Sequence, residues 1–273
     1  MNRSALIAVV AGALQGVFEW LPISSEGNIT VFLTALGSSP EAAVQFSLFL
    51  HAGTALSATV YYREELADVL GALPRWRPGS AFSDGGETAT LSFLAVATLA
   101  SGVVGIAAYL TLETVVSALT GGAFVALVGV LLVATGVLQR VADGFEFGGR
   151  ASPDLLDAVL VGALQGLAIL PGVSRSGTTA SALLFRGHDG PSSFRLSFLL
   201  SIPAALGAGV LVLLDTGVPS VTPVEAALAL GTAAVVGYLT IDALMRVVER
   251  VPFWSVCVGL GALAMLGGAA LAI

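Results

Sequence analysis

Residues 12–16 read "GALQG", and residues 162–166 read "GALQG" again. The match continues without gaps at an offset of 150: Ser24 falls on Ser174, Gly27 on Gly177, Ser47 on Ser197, Leu50 on Leu200, and Ala55-Leu56 on Ala205-Leu206. The chain is therefore read as a duplication within a single domain, 1–273, with halves of about 1–140 and 151–273. The repeat also settles the status of the apolar run Ala5 to Leu14 behind Arg3. It resembles a signal peptide, but a cleaved leader would have no internal counterpart.

Composition fixes the solvent. Of 273 residues, 56% are hydrophobic and only 11% charged, with mean hydropathy +0.94; a soluble domain carries about 25% charged residues. This predicts a multi-pass, all-α integral membrane protein. All eleven basic residues are arginine and the formal charge is −7, which argues against nucleic-acid binding. Cys257 is alone, so no intramolecular disulfide forms.

Apolar runs near 41–62, 89–110, 117–138, 194–215, 224–245 and 253–273 are each long enough to cross a bilayer. Two further segments, roughly 5–37 and 155–188, are broken midway by "EWLPISSEGN" and "LPGVSRSGTT". They are read as re-entrant helical hairpins, because irregular backbone at membrane depth survives only where protein or a wet cavity surrounds it. The 63–88 and 139–154 loops and the 246–252 turn hold arginines, whereas the 111–116 and 216–223 turns hold none. The basic segments are expected on the cytoplasmic side, and the two hairpins then enter from opposite faces. The architecture predicted is an inverted-topology repeat of six transmembrane helices and two hairpins, with Arg3 the one discordant charge.

Such repeats place their site where the two breaks meet. An arginine at the bilayer centre costs roughly 2.5–3.5 kcal/mol even on lenient scales, so Arg175 needs a partner or a cavity. In "PGVSRSG", Pro171-Gly172 is expected to end one half-helix and Ser174 or Ser176 to cap the next, offering free N–H groups to an anion. Arg175 adds a fork that matches phosphate, although a structural pair with a buried carboxylate would also explain it. From the other break, Glu19 lies four residues after Gln15, ahead of Ser24, Ser25, Glu26 and Asn28. A carboxylate there can hold a divalent cation together with substrate oxygens, act as general base, or pair with Arg175. Glu26 also admits a solvated reading, and Ser24 and Ser25 a purely capping one. His51, in the apolar run "LFLHAGTAL", is read as a core histidine, and His188, in "GHDG", as a cytoplasmic surface residue without a role.

At these residues the chain resembles the undecaprenyl-pyrophosphate phosphatase family, also known for bacitracin resistance. "EWLPISSEGN" resembles the family's first motif, and "PGVSRSG", followed by Thr179, matches its second. "LSFLLSIP" and "LFLHAGTALSATVYYR" extend the similarity over most of the chain. The resemblance implies hydrolysis of a polyprenyl diphosphate to the monophosphate in the cell membrane, with a divalent cation (Mg or Ca) held at Glu19. Taken together with the residues themselves, the candidate catalytic residues are Glu19, Ser25 and Arg175, and the candidate substrate contacts are Ser24, Asn28, Gly172, Ser174, Ser176, Gly177 and Thr179.

Two positions depart from the family. Gln15 stands where the motif is acidic, and Asn28 where it has histidine. Asparagine can bind phosphate but cannot act as nucleophile or as acid and base. Ser25 activated by Glu19 and metal, or a water activated by the same pair, is expected to take that role. A lipid-carrier flippase or an ion-coupled transporter would use the same architecture, whereas a scaffold gives no reason for arginine and glutamate in paired breaks. Small-residue patterns, Ala204 to Ala208 and Ala264 to Gly268, permit close helix contacts and hence a homodimer.

Overall fold

The computed structural model describes residues 3–83, 85–144, 149–150, 152–215, 221–248 and 250–271. These residues form eleven α-helices with two short 3-10 turns after the fourth. Residues 216–220 of the expected 216–223 turn, and 145–148 and 151 of the expected 139–154 loop, lie outside the described residues.

Six helices are long and apolar enough to cross a bilayer: α3 (Pro40–Tyr61), α5 (Gly86–Ala118), α6 (Gly121–Ala142), α9 (Gly190–Asp215), α10 (Pro223–Val248) and α11 (Phe253–Leu271). They coincide with the six predicted spans. Their outer faces carry exposed Leu99, Val103, Leu239, Leu263 and Leu266, a surface that only lipid accommodates without penalty. The molecule is an integral membrane protein.

The other apolar segments form helix pairs. α1 (Arg3–Phe18) and α2 (Ser25–Ala35) flank the first break; α7 (Leu155–Leu167) and α8 (Arg175–Phe185) flank the second. An eleven-residue helix such as α2 or α8 is about 16 Å long, half a hydrocarbon core. Pro171-Gly172 lies inside the second break rather than at the end of α7, and Ser174, not Ser176, is the cap.

Close packing explains the repeated glycines. α1 lies on α10, and α7 on α5. A methyl on Gly16 would stand 2.7 Å from the Gly237 nitrogen and 2.9 Å from the Ala233 oxygen; one on Gly166 would stand 2.8 Å from both the Gly105 nitrogen and the Ser101 oxygen. The contacted positions, Ala233 and Gly237 against Ser101 and Gly105, repeat at an offset of 132 rather than 150. The difference is the extra length between α3 and α5. That stretch, expected to be a loop, contains α4 (Arg63–Gly71), a short helix whose Val69 is buried while Leu70 is exposed. The α6–α11 contact is self-matching: a methyl on Gly129 would stand 2.6 Å from the Gly261 oxygen, and one on Gly261 2.6 Å from the Gly129 oxygen. Gly268 packs on Gly122 in the same interface, and Ala204 and Ala208 line a cavity.

His188 is not a surface residue. It is fully buried, with Nε2 3.1 Å from Asp157, and Asp157 also receives Arg186 Nε at 2.6 Å and Arg150. Burial pushes the Asp157 carboxyl up, but the His188, Asp154 backbone and Arg186 hydrogen bonds and the Arg150 charge outweigh it and hold the group well below the usual carboxylate range. This cluster pins the start of α7 to the end of α8.

Candidate active site

The two breaks meet through their backbones. Ser24 accepts a hydrogen bond from the Gly27 nitrogen at 3.2 Å, capping α2, and one from the Gly172 nitrogen at 3.1 Å, crossing to the second break. Serving both partners holds Ser24 at φ 60, the one left-handed non-glycine among the described residues, a conformation that costs about 1–3 kcal/mol. Gly27 permits the approach, since a methyl there would stand 2.6 Å from the Gly172 nitrogen, while Gly172, at φ 105, lies against α6, where a methyl would stand 2.5 Å from the Val128 oxygen. α6 closes the back: Thr135 donates to the Gly172 oxygen at 3.2 Å, Gln139 to the Pro22 oxygen at 2.7 Å, and Cys257 of α11 to the same oxygen at 3.1 Å.

Across this scaffold Glu19 and Arg175 form an ion pair, Nη2 to Oε1. The other Glu19 oxygen accepts from Gln15 at 2.9 Å and from Ser25 Oγ at 2.8 Å, and His51 Nε2 lies 3.4 Å from it. Arg175 also stacks over Phe198 at 5.7 Å, and its Nη1 is buried with no partner among the described residues. One edge of the guanidinium is therefore engaged by Glu19 while the other remains open to an anion.

His51 is the residue that sequence reasoning missed. Its Nδ1 sits 2.9 Å from the Ser47 carbonyl oxygen, so that nitrogen must carry a hydrogen and Nε2 is the one facing Glu19. The available signal was its repeat partner: at the offset of 150 His51 falls on Ser201, a second polar residue in an apolar run, and both line the same cavity. Glu26, which admitted a solvated reading, is buried at 4% exposure.

The polar groups face two connected spaces. A narrow compartment of about 20 Å³, room for one water, is lined by Glu19, Ser24, Ser25, Glu26, His51, Ser174, Arg175 and Ser176. A larger cavity of about 330 Å³ shares Glu19, Glu26, His51 and Arg175 and continues between α5 and α9 past Ile106, Leu211 and Leu214. The remaining sequence-derived site residues hold the frame from outside these spaces. Asn28 donates to the carbonyls of Ile23 at 2.7 Å and Ser24 at 2.9 Å; Thr179 donates to the Arg175 oxygen at 2.8 Å and contacts Ser197 at 2.6 Å; and Gly177 donates to its cap Ser174 at 3.2 Å. A separate cavity of about 510 Å³ near Asp143, Arg195 and Trp254 touches none of Glu19, Ser25 and Arg175.

Among the described residues no group of three or more His, Cys, Asp or Glu side chains is arranged to hold a metal ion. A hard divalent cation does not need one: it commonly takes one or two carboxylates and completes its shell with water and substrate phosphates. The residues fit such an ion, because two buried carboxylates, Glu19 and Glu26, line one cavity and an oxygen of Glu26 lacks a partner.

The chain is 57% identical over 269 residues to an undecaprenyl-diphosphatase of Haloarcula marismortui, covering 98% of each chain. It is 38% identical to one of Methanococcoides burtonii, covering 95% of this chain and 96% of the relative, and 37% identical to one of Geobacter sulfurreducens, covering 89% of each. Residues 8–263 match the family described as Bacitracin resistance protein BacA. With both breaks, their serine caps and the Glu19–Arg175 pair inside the matched span, the chain belongs to the BacA family.

Proposed function

We propose that this chain hydrolyses an undecaprenyl-type polyprenyl diphosphate to the monophosphate and inorganic phosphate, recycling a lipid carrier for envelope assembly in the cell membrane. One observation carries the reading: Ser25, Glu19 and Arg175 are joined one to the next across the two breaks where a polar compartment meets a cavity lined mostly by apolar residues. The names of the relatives above favour it over a flippase or an ion-coupled transporter.

The chemistry follows from the contacts. Ser25 Oγ already donates to Glu19 at 2.8 Å, so Glu19 takes that proton as the oxygen attacks the terminal phosphorus. The bond from that phosphorus to the bridging oxygen breaks, and the prenyl monophosphate leaves with the electron pair. A water then attacks phosphoserine; Glu19 returns its proton to the Ser25 oxygen, and the proton of the water departs with phosphate. Arg175 Nη1 binds the phosphoryl oxygens whose charge shifts during transfer, while Ser174, Ser176 and the first two N–H groups of α8, ahead of Gly177 whose N–H is taken by its cap, face the same charge. The prenyl chain runs between α5 and α9. A divalent cation, Mg or Ca, belongs to this reading: Glu19 would hold it with diphosphate oxygens, and when bound it neutralises phosphate charge.

We also infer that the halves are an inverted-topology repeat, with α1–α2 and α7–α8 re-entering from opposite faces. The exchanged packing of α1 on α10 and α7 on α5 supports this, as do the arginine-poor turns. On that topology the substrate cavity opens toward the external side, where the C-terminal part of α9 ends.

The test is rapid quenching with a prenyl diphosphate labelled in its terminal phosphate. Wild type is expected to release phosphate and to carry acid-stable label that is absent from Ser25→Ala. Unimpaired turnover by Ser25→Ala overturns the serine step, and no phosphate release by folded wild type overturns the hydrolase reading.

A further inference from the structure

Glu26 has no task in the steps above. It stands in the first turn of α2, is 4% exposed, and lines both the narrow compartment and the larger cavity. Its Oε1 is buried with no partner among the described residues, although buried carboxylates are normally paired or coordinated. The positive end of α2 offsets only part of that cost. The nearby guanidinium of Arg175 binds Glu19 through Nη2 and stacks on Phe198, and its other edge is the one left for the phosphate.

Charge balance sharpens the point. The cavity sets two carboxyl groups against one guanidinium and the His51 imidazole, and a diphosphate entering it adds further negative charge beside both acids. Arg175 alone cannot compensate that total. On the helix before the break Gln15 uses its amide nitrogen on Glu19 at 2.9 Å, and its amide oxygen, also without a partner among the described residues, brings no negative charge to a cation.

Resting on the diphosphatase reading, we infer that Glu26 is the second protein ligand of a divalent cation, joining Glu19 and the diphosphate oxygens from the far side of the first break. With two carboxylates and no third protein ligand of that kind among the described residues, the ion needs substrate oxygens to complete its shell. Cation and diphosphate therefore bind together, each weakly alone.

The experiment measures Mn2+ binding by loss of the free-ion electron paramagnetic resonance signal. It uses the purified full chain, with and without a non-hydrolysable prenyl methylenediphosphonate. Wild type is expected to bind one Mn2+ tightly only with the diphosphonate. Glu26→Gln, checked for folding by thermal melting, is expected to bind it roughly 100-fold more weakly, at or beyond the range seen when an outer-shell partner is lost. A second measurement needs no variant. Carbodiimide modification of Glu26 in wild type, mapped by mass spectrometry, should be blocked by Mn2+ with diphosphonate and not by diphosphonate alone. Equal Mn2+ affinity in Glu26→Gln, no Mn2+ bound by wild type, or carbodiimide reaction indifferent to Mn2+ overturns the assignment. None of these readouts requires turnover, so a wild type that binds Mn2+ through Glu26 yet releases no phosphate would count against the hydrolase reading alone.

Discussion

At the first break Ser24 caps α2 by accepting from the nitrogen of Gly27, and at the second Ser174 caps α8 by accepting from that of Gly177, both at 3.2 Å. The residue after the cap is Ser25 in one and Arg175 in the other; five positions before the cap stand Glu19 and Ile169. One backbone scheme thus presents a carboxylate and a hydroxyl from one side and a guanidinium from the other. Duplication supplies the frame, and divergence at a few positions supplies complementary charge, which a symmetric pair of breaks could not. The backbones also differ: Ser24 sits at φ 60 and Ser174 at φ −73, because only Ser24 reaches across to the opposite break.

The largest effect should fall on the chemical side of this comparison. Glu19→Gln keeps the shape but removes the base, and turnover should fall by about 10²- to 10⁴-fold. Ile169→Val, at the matching position, should leave it within a few-fold. Steady-state phosphate release for both variants checks this, and equal losses would mean that the breaks are not chemically distinct.

The next effect separates the ends of the hairpins. Asp157 anchors α7 through Arg150, Arg186 and His188, whereas the matching position on α1 is Ile7. Removing one partner of a buried ion cluster costs about 3–5 kcal/mol, so Asp157→Asn should lower thermal stability in detergent sharply. Its carboxyl is held below the usual value of about 3.9. Its contribution is complete above that pH and is lost as pH falls toward the depressed folded value. Hydrogen exchange should therefore show α7 loosening before α1 on acidification, a difference that Asp157→Asn abolishes.

Smaller and symmetric effects are expected from the shared frame. Gly16→Ala and Gly166→Ala each force a methyl against a crossing helix and should destabilise by about 1–3 kcal/mol, with activity per folded molecule preserved. The smallest difference concerns the caps. Loss of the cap should cost about 1 kcal/mol with alanine and a few tenths with glycine at either serine; both substitutions at 24 also lose the bond from Gly172, but only glycine relieves the positive φ there. The advantage of glycine over alanine in thermal melts should therefore be larger at 24 than at 174.

Much of this frame was legible in the sequence, because helix-length apolar runs and a gapless repeat are local signals. The six spans and both breaks follow from them, as does the meeting of Glu19 with Arg175. The repeat in α5 and α10 was not legible at 150 because α4 shifts its offset to 132. His51 was misplaced and Glu26 left open for a related reason: whether a polar residue in an apolar setting faces core, solvent or cavity depends on helices distant in sequence. For His51 those are α1, whose Glu19 it faces, and α9. Gly172 and Asn28 show the converse, since their motif positions suggest ligand contact while their N–H groups hold the break itself.

The central claim is that the two breaks assemble one phosphoryl-transfer site, with Arg175 acting on the phosphate rather than only on Glu19. The most direct measurement is phosphate release from a prenyl diphosphate, per folded molecule, for wild type, Arg175→Lys and Arg175→Ala. The account predicts that Arg175→Ala loses about 10²- to 10³-fold, mainly in kcat rather than KM, and that lysine restores only part of it because the planar fork is gone. Wild-type kcat in the folded fraction of both variants, with lowered thermal stability as the only change, would contradict it.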